Sequence, residues 1–329
     1  MPTLGTSFID PAVDRRVSDG LDRVEALLAS QVDSSEPLVA EAASHLLNAG
    51  GKRFRPLLTL LAAEFGDPTA ADIVPAAVVV ELTHLATLYH DDVMDEADLR
   101  RGAPSANARW DNSVAILVGD FLFARASELV ADLGVEAVRI QARTFARLVH
   151  GQIAETIGPR EGESRLDHYL QVVSDKTGSL IATSALFGAK TAGADASVQQ
   201  ALLAFGERIG TVFQLADDLI DLTSETQDSG KTPGTDLREG VPTLPTLFVQ
   251  RANRPEDARL LHLLSGPIEA DAEVDEALAL LRAHPAIDEA RAHVRGEAEA
   301  ARQILDGLPD VPARAALAEL CDRVVTRLA

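Results

Sequence analysis

The segment Val78-Val79-Val80-Glu81-Leu82-Thr83-His84-Leu85-Ala86-Thr87-Leu88-Tyr89-His90-Asp91-Asp92-Val93-Met94-Asp95 decides the fold. Apolar side chains recur on every turn, so it reads as a helix buried on most sides. It closes on three carboxylates. At 3.6 residues per turn, Asp91 and Asp95 are four apart and Asp92 and Asp95 three apart, so all three share roughly one face. Like charges at that spacing destabilise an isolated helix by roughly 0.2–0.5 kcal/mol per pair. A hard divalent cation with oxygen ligands is the natural compensation. A solvated acidic face is the plainer alternative in a chain with 51 acidic residues, and the buried helix upstream argues against it.

The pattern recurs at Asp217-Asp218-Leu219-Ile220-Asp221, after Phe213-Gln214-Leu215-Ala216. Again an apolar helix closes on carboxylates, and again a basic, glycine-bearing loop follows. Two facing clusters of this kind could hold several Mg²⁺ ions, which bind through one or two carboxylates plus substrate phosphates. Such ions make a diphosphate a better leaving group.

Outward from these clusters the 329 residues are helical throughout. Helical stretches fall near 72–96, 111–132, 135–157, 166–190, 197–224, 242–252, 256–265, 275–284, 286–307 and 312–328, after a stripe at Leu21, Val24, Leu27 and Leu28, a helix from Pro37 to Leu47 and another opened by Arg55-Pro56. That is about a dozen helices and no convincing strand, an all-α fold. Breaks at Leu99 to Asn107, Gly158 to Ser164 and Ser224 to Pro242 are not linkers, so one domain over 1–329 is expected. Hydrophobic residues make up 46% with few aromatics, so Ala, Leu and Val build the core. The apolar run Ile73 to Tyr89 is interrupted by Glu81 and His84, which predicts a buried helix pair and not a membrane span. A net charge of −21 repels nucleic acid and anionic lipid, and excludes binding either as a main role. The single Cys321 excludes an internal disulfide, and Met1 to Asp10 lack the pattern of a signal peptide. A cytoplasmic location is expected.

Against so acidic a background, local basic groups stand out. Gly50-Gly51-Lys52-Arg53-Phe54-Arg55-Pro56 offers backbone amides, a lysine and two arginines at a helix start, suited to an anion. Arg100-Arg101-Gly102 follows the first acidic cluster, and Lys231 follows the second. Lys176-Thr177 lies inside a helix, where a lysine usually snorkels to the surface. His84, on an apolar helix, would ordinarily be a satisfied core histidine. Carboxylates that hold metals, together with basic groups that do not need them, suggest two diphosphates bound at once.

These residues resemble the trans-polyprenyl diphosphate synthase family from about Ala40 to Leu247, and more loosely to the C-terminus. GGKRFRP, HDDVMDEADLRRG, KTGSLI, FQLADDLID and GKTPGTDLREG stand in the family's order and approximate spacing. The resemblance implies the isoprenoid synthase fold, a helical bundle around a deep central cavity, usually a homodimer. It implies that Asp91, Asp92 and Asp95 with Asp217, Asp218 and Asp221 hold three Mg²⁺ against an allylic diphosphate, which Arg100, Lys176 and Lys231 also contact. Gly51 belongs to the same basic loop, and Lys52, Arg55, His84 and Arg101 would bind isopentenyl diphosphate. Thr177 and Gln214 would line the reacting centre. The chain departs from many relatives at Val241, where they carry a lysine.

The resemblance also sets where a growing product would run, along the helix that ends in Asp91. Five residues back is about 7.5 Å along the axis. Short-chain members place an aromatic floor there, whereas this chain has Ala86, with Thr87 beside it and Thr83 one turn further down. No floor is visible on this wall, which favours a product of about C30–C50. Phe121, Phe123 and Phe145 could supply bulk from elsewhere, leaving C20–C25 as the alternative. A class I terpene cyclase ranks lower: it has no use for GGKRFRP, and its second metal motif is usually of Asn/Ser/Glu type. A non-catalytic subunit would be expected to have lost aspartates that this chain keeps, and a metal phosphohydrolase would need further histidines.

Overall fold

The computed structural model of the protein describes residues 10–223 and 233–327. Among them the helices are α1 (Pro11–Gln31), α2 (Pro37–Asn48), α3 (Phe54–Ala63), α4 (Ile73–Met94), α5 (Ala106–Arg109), α6 (Asn112–Asp132), α7 (Val135–Ile157), α8 (Arg165–Val173), α9 (Ser179–Thr191), α10 (Ala196–Thr223), α11 (Thr235–Glu239), α12 (Leu244–Ala252), α13 (Ala258–Leu263), α14 (Asp271–Arg282), α15 (Pro285–Leu305) and α16 (Pro312–Thr326). A two-residue antiparallel pair, β1 (Leu99–Arg100) and β2 (Ala103–Pro104), is the only strand structure among the described residues. The all-α expectation holds.

Local chemistry sets the helix starts. Asp10 Oδ1 accepts from the backbone amides of Ala12 and Val13 at 2.8 and 2.9 Å, and Pro11 opens the first turn of α1; both satisfy or remove amides that a helix start leaves unpaired. Asp111 caps α6 in the same way through Val114 N at 2.8 Å.

Three expectations need correction. The stretch Ile73 to Tyr89 is not a helix pair but part of one 22-residue helix, α4. Glu81 does not break it, because that carboxylate is only 2% exposed and pairs with Arg53. The expected helix over 166–190 is interrupted by a π-helical turn at Ser174–Gly178. The break from Leu99 to Asn107 folds as a hairpin, because Arg101 and Gly102 both take positive φ (+55° and +76°), the requirement of a two-residue type I′ turn.

The described residues group into two compact units. One comprises those up to Ala146, with Leu180–Gly206 and Ile304–Leu317; the other comprises Arg147–Ser179, Glu207–Gln303 and those from Ala318 onward. In the first, α4 is the central helix and packs on α1, α3 and α6. Its length and apolarity would suit a membrane span, but 78% of its most apolar window is buried in the protein. Burial of Leu82, Leu85 and Ala86 among Leu46, Leu122 and Ala126 forms the core here. In the second unit α8 packs on α12 and α13 on α14, and Arg282 of α14 donates to Leu222 O near the end of α10 at 2.8 Å.

Candidate functional site

In the first unit the α2–α3 connection gathers positive charge. Arg53, at positive φ (+47°) just before α3, donates to both oxygens of Glu25, to Glu81 Oε1 at 3.2 Å and to Leu47 O at 3.3 Å. It is a buried arginine committed to the fold. Arg101 donates to Leu46 O at 2.9 Å and to Gly50 O, so the hairpin tip is tied to the end of α2. A Cβ at Gly51 would lie 2.8 Å from Arg53 Nη1 and 3.2 Å from Arg101 Cζ, so only glycine lets both guanidinium groups approach this backbone. Lys52 is exposed beside them.

Arg55 differs from Arg53. Its Nε is buried and has no protein partner. Burial first, then the neighbouring Arg101, lowers its pKa to about 10, against the opposing pull of Glu81. His84, one turn beyond Glu81 on α4, is pushed well below the usual imidazole range by burial and by Arg55, Arg101, Arg100 and Arg53. Lys52 apart, the basic residues expected from sequence to bind one diphosphate therefore converge. The sequence offers Arg53 to an anion beside Arg55, but its fork is taken up by Glu25 and Glu81; of that pairing the one available signal was a glutamate inside an apolar run.

The carboxylates follow on the same helix. Asp92 is fully buried and accepts from Arg100 Nε at 2.5 Å, while Arg100 Nη2 lies 4.0 Å from Asp95. Burial pushes the Asp92 carboxyl up, and Arg100 opposes the shift. Its second oxygen, Oδ2, is buried with no hydrogen-bond partner. Asp91 is partly buried and Asp95 exposed at the helix end, so the three do not present equally. His90 rests on α6, with Nε2 3.2 Å from Ile116 O, over Gly119, where a Cβ would lie 2.3 Å from that nitrogen.

Along the wall of α4, Thr83 and Ala86 are buried and Thr87 nearly so. Gln141 of α7 donates to Thr83 Oγ1 at 3.2 Å, a contact the sequence did not suggest. The rings of Phe123 and Phe145 meet at 4.3 Å between centroids, and Phe121 lies beneath Arg125.

In the second unit α10 carries Gln214, Asp217, Asp218 and Asp221. Asp218 accepts from Tyr169 Oη at 2.5 Å and from Gln214 Nε2 at 2.8 Å, and Gln214 Oε1 in turn accepts from Thr177 Oγ1 at 3.0 Å. Burial pushes the Asp218 carboxyl up to about 6, with Asp217 and Asp221 adding to the rise. Asp217 accepts from Arg327 Nη2 at 2.7 Å. Lys176 sits in the π-helical turn and donates to Glu155 Oε2 at 2.5 Å, so it is not a snorkelling surface lysine. Lys231 lies outside the described residues. Tyr169 and Arg327 were missed, since nothing local in the sequence ties either to the aspartates. Val241, the departure from the family pattern, donates its amide to Asp236 O at 2.8 Å.

Oxygen donors at the ends of both acidic helices, one of them the buried unpartnered Oδ2 of Asp92, fit a hard cation such as Mg²⁺. Among the described residues no three acidic, histidine or cysteine side chains converge into a ready-made cage. That donor set suits an ion shared with a substrate's phosphates, as Mg²⁺ usually is.

The sequence matches the polyprenyl synthetase family over residues 36–281. It is 52% identical to a nonaprenyl diphosphate synthase of Mycobacterium tuberculosis over 324 residues, 98% of this chain and 97% of the other. Among solved structures it is similar to a geranylgeranyl pyrophosphate synthase from Corynebacterium glutamicum complexed with calcium and isoprenyl diphosphate, at TM-score 0.88 and 47% identity over 98% of this chain and 99% of that one. A decaprenyl diphosphate synthase from Rhodobacter capsulatus superposes at TM-score 0.87 with 35% identity, over 97% and 99% of the two chains.

Proposed function

This chain belongs to the polyprenyl synthetase family and is a trans-prenyltransferase, and on that premise we propose that it condenses isopentenyl diphosphate with an allylic diphosphate, repeatedly, to a long all-trans product of about C30–C50. One observation carries the reading. His84, inside the arginine cluster, and Asp91, in the acidic cluster, stand seven residues apart on α4, about 10.5 Å along the axis and on the same face. A site for an anion held by guanidinium groups thus adjoins a site for an anion held through metal ions, which is what two diphosphate substrates require.

Arg55, Arg101, His84 and Lys52 take isopentenyl diphosphate, and Gly51 leaves room for the guanidinium groups beside that loop. Asp91, Asp92 and Asp95, with Asp217, Asp218 and Asp221, would hold Mg²⁺, three ions by the family's pattern, which would neutralise the allylic diphosphate and ease its departure. Arg100, Lys176 and Lys231 bind the same diphosphate. The allylic C–O bond breaks, the double bond of isopentenyl diphosphate attacks the cation, and a proton passes to the departing diphosphate. Thr177 and Gln214, joined by a hydrogen bond, would line that centre, where their oxygen atoms would oppose positive charge without attacking it. The chain's contribution is preorganised charge and exclusion of water.

Small side chains at Thr83, Ala86 and Thr87 support a long product, as does similarity to the nonaprenyl synthase. The 47% identity to a geranylgeranyl synthase structure favours C20 instead. Purified protein with Mg²⁺, labelled isopentenyl diphosphate and C10, C15 or C20 primers decides. Products ending between about C30 and C50, shortened by Ala86→Phe, support the proposal; a stop at C20 or C25 keeps the chemistry and rejects the length. The protein works as one domain, in the cytoplasm and off the membrane. It is a homodimer: Ile116 and Leu117 on α6 and Val138 on α7 are exposed, the kind of apolar surface that a second copy would cover.

A further inference from the structure

One face of α7 reads the π-helical turn in register. Arg147, Gly151 and Glu155 are spaced four apart and so lie in one row. Arg147 donates to Ser174 Oγ at 2.7 Å and to Asp175 Oδ1. At Gly151 a Cβ would stand 2.7 Å from Lys176 N and 3.0 Å from Asp175 Cβ, so α7 touches the backbone of the turn there. Glu155 accepts from Lys176 Nζ. The same guanidinium spans to α10, where it meets both oxygens of Glu207, with Nη1 to Oε2 at 2.8 Å. Two turns after Glu207 on α10 is Gln214, which holds Thr177 and Asp218.

Arg147 thereby uses every nitrogen of its fork, on two carboxylates and a hydroxyl contributed by two different elements. A π-helical turn is an irregularity that needs outside support. Two of its residues, Lys176 and Thr177, are the ones read as touching substrate, whereas Arg147 itself is engaged by Ser174, Asp175 and Glu207. We propose that Arg147 is a positioning residue for the prenyl transfer: by bridging Ser174 and Asp175 to Glu207 it fixes the π-helical turn against α10, and so sets Lys176 and Thr177 in register with Gln214 and Asp218. The proposal rests on the reading of Lys176 and Thr177 given above.

Lysine cannot reproduce the planar fork but keeps the charge between Asp175 and Glu207, so Arg147→Lys separates geometry from charge. Full-length Arg147→Lys, Arg147→Gln and Lys176→Gln are compared with wild type by thermal melting and by steady-state kinetics with a C15 primer and isopentenyl diphosphate. Expected for Arg147→Lys is a melting temperature within a few degrees of wild type, kcat lowered about 10–100-fold, and KM for isopentenyl diphosphate within about two-fold. Arg147→Gln, which leaves two carboxylates facing each other, melts lower and is no faster. If folded Arg147→Lys turns over within about three-fold of wild type while Lys176→Gln is impaired, the positioning role is wrong and the substrate reading survives. A loss of kcat matched by an equal rise in that KM would mean general damage and also overturn it. Normal turnover by Lys176→Gln would overturn the substrate reading and the positioning role together.

Discussion

Arg100 Nε lies 2.5 Å from Oδ1 of Asp92, a carboxylate with no exposed surface. Neighbours in a turn-bound hairpin and a buried helix end are thus joined by a charge pair, and removing one member strands the other. Arg100→Ala should destabilise the fold by about 2–4 kcal/mol, because it leaves a buried carboxylate without its partner. Asp92→Asn alone should cost less, and the double variant should regain part of the loss. Denaturant melts of the four proteins measure this, and additive losses would show that the pair is not coupled.

Arg55 should behave in the opposite way. Its Nε is buried without a partner and its charge is disfavoured by burial, so the fold gains little from it. Arg55→Gln should leave the melting temperature unchanged or slightly raised while increasing KM for isopentenyl diphosphate about 10–100-fold. A large drop in melting temperature with normal KM would assign Arg55 to the fold.

The imidazole of His84 is depressed by burial and by its arginine neighbours. Its unfolded pKa is near the ordinary value of about 6.5, so on acidification the unfolded chain takes up this proton first. Stability from this group is therefore complete above about pH 6.5 and falls as pH drops below it. His84→Gln, which cannot titrate, should lose less on going from about pH 7.5 to about pH 5.5 than wild type does. Inorganic diphosphate should narrow the difference by favouring the protonated ring. Parallel melting curves for both proteins across that range would reject the shift.

Gly119 gives His90 room to lie on α6. A methyl group there would stand 2.3 Å from His90 Nε2, so Gly119→Ala should cost about 1–3 kcal/mol by overpacking. It should also lower Mg²⁺-dependent turnover, since His90 is the immediate neighbour of Asp91. His90→Ala combined with Gly119→Ala should restore the stability; failure to do so would place the clash elsewhere.

Both acidic clusters were legible because each closes an apolar helix, and because carboxylates three and four apart share a face whatever the tertiary structure. The basic loop was legible for its contrast with a net charge of −21. What answers those charges was not. Arg53 and Glu81 are 28 residues apart, and only the folded chain brings them together. The π-helical turn was hidden because Ser174-Asp175-Lys176-Thr177-Gly178 contains no proline, and apolar periodicity continues on both sides. The hairpin escaped because its strands have two residues each, although Arg101-Gly102 is a plausible type I′ pair. Ile73 to Tyr89 is part of one helix and not two, because a charged residue inside an apolar run is no break when it is half of an ion pair.

Four non-glycine residues take positive φ among the described residues, and three of them, Arg53, Glu96 and Arg101, flank the first acidic cluster or lie in the arginine cluster. A left-handed backbone disfavours such side chains by about 1–2 kcal/mol each. Glycine would relax any of the three, and at Arg53 or Arg101 it would also delete a charge. Backbone strain therefore pulls these positions toward glycine, while at Arg53 the pairing with Glu25 and Glu81 and at Arg101 the hydrogen bond to Leu46 O pull them back. A screen for thermostability alone would be expected to select glycine or asparagine first at Glu96, and to reject them at Arg53, where the buried Glu81 would be stranded, and at Arg101, where the hairpin would lose its tie to α2.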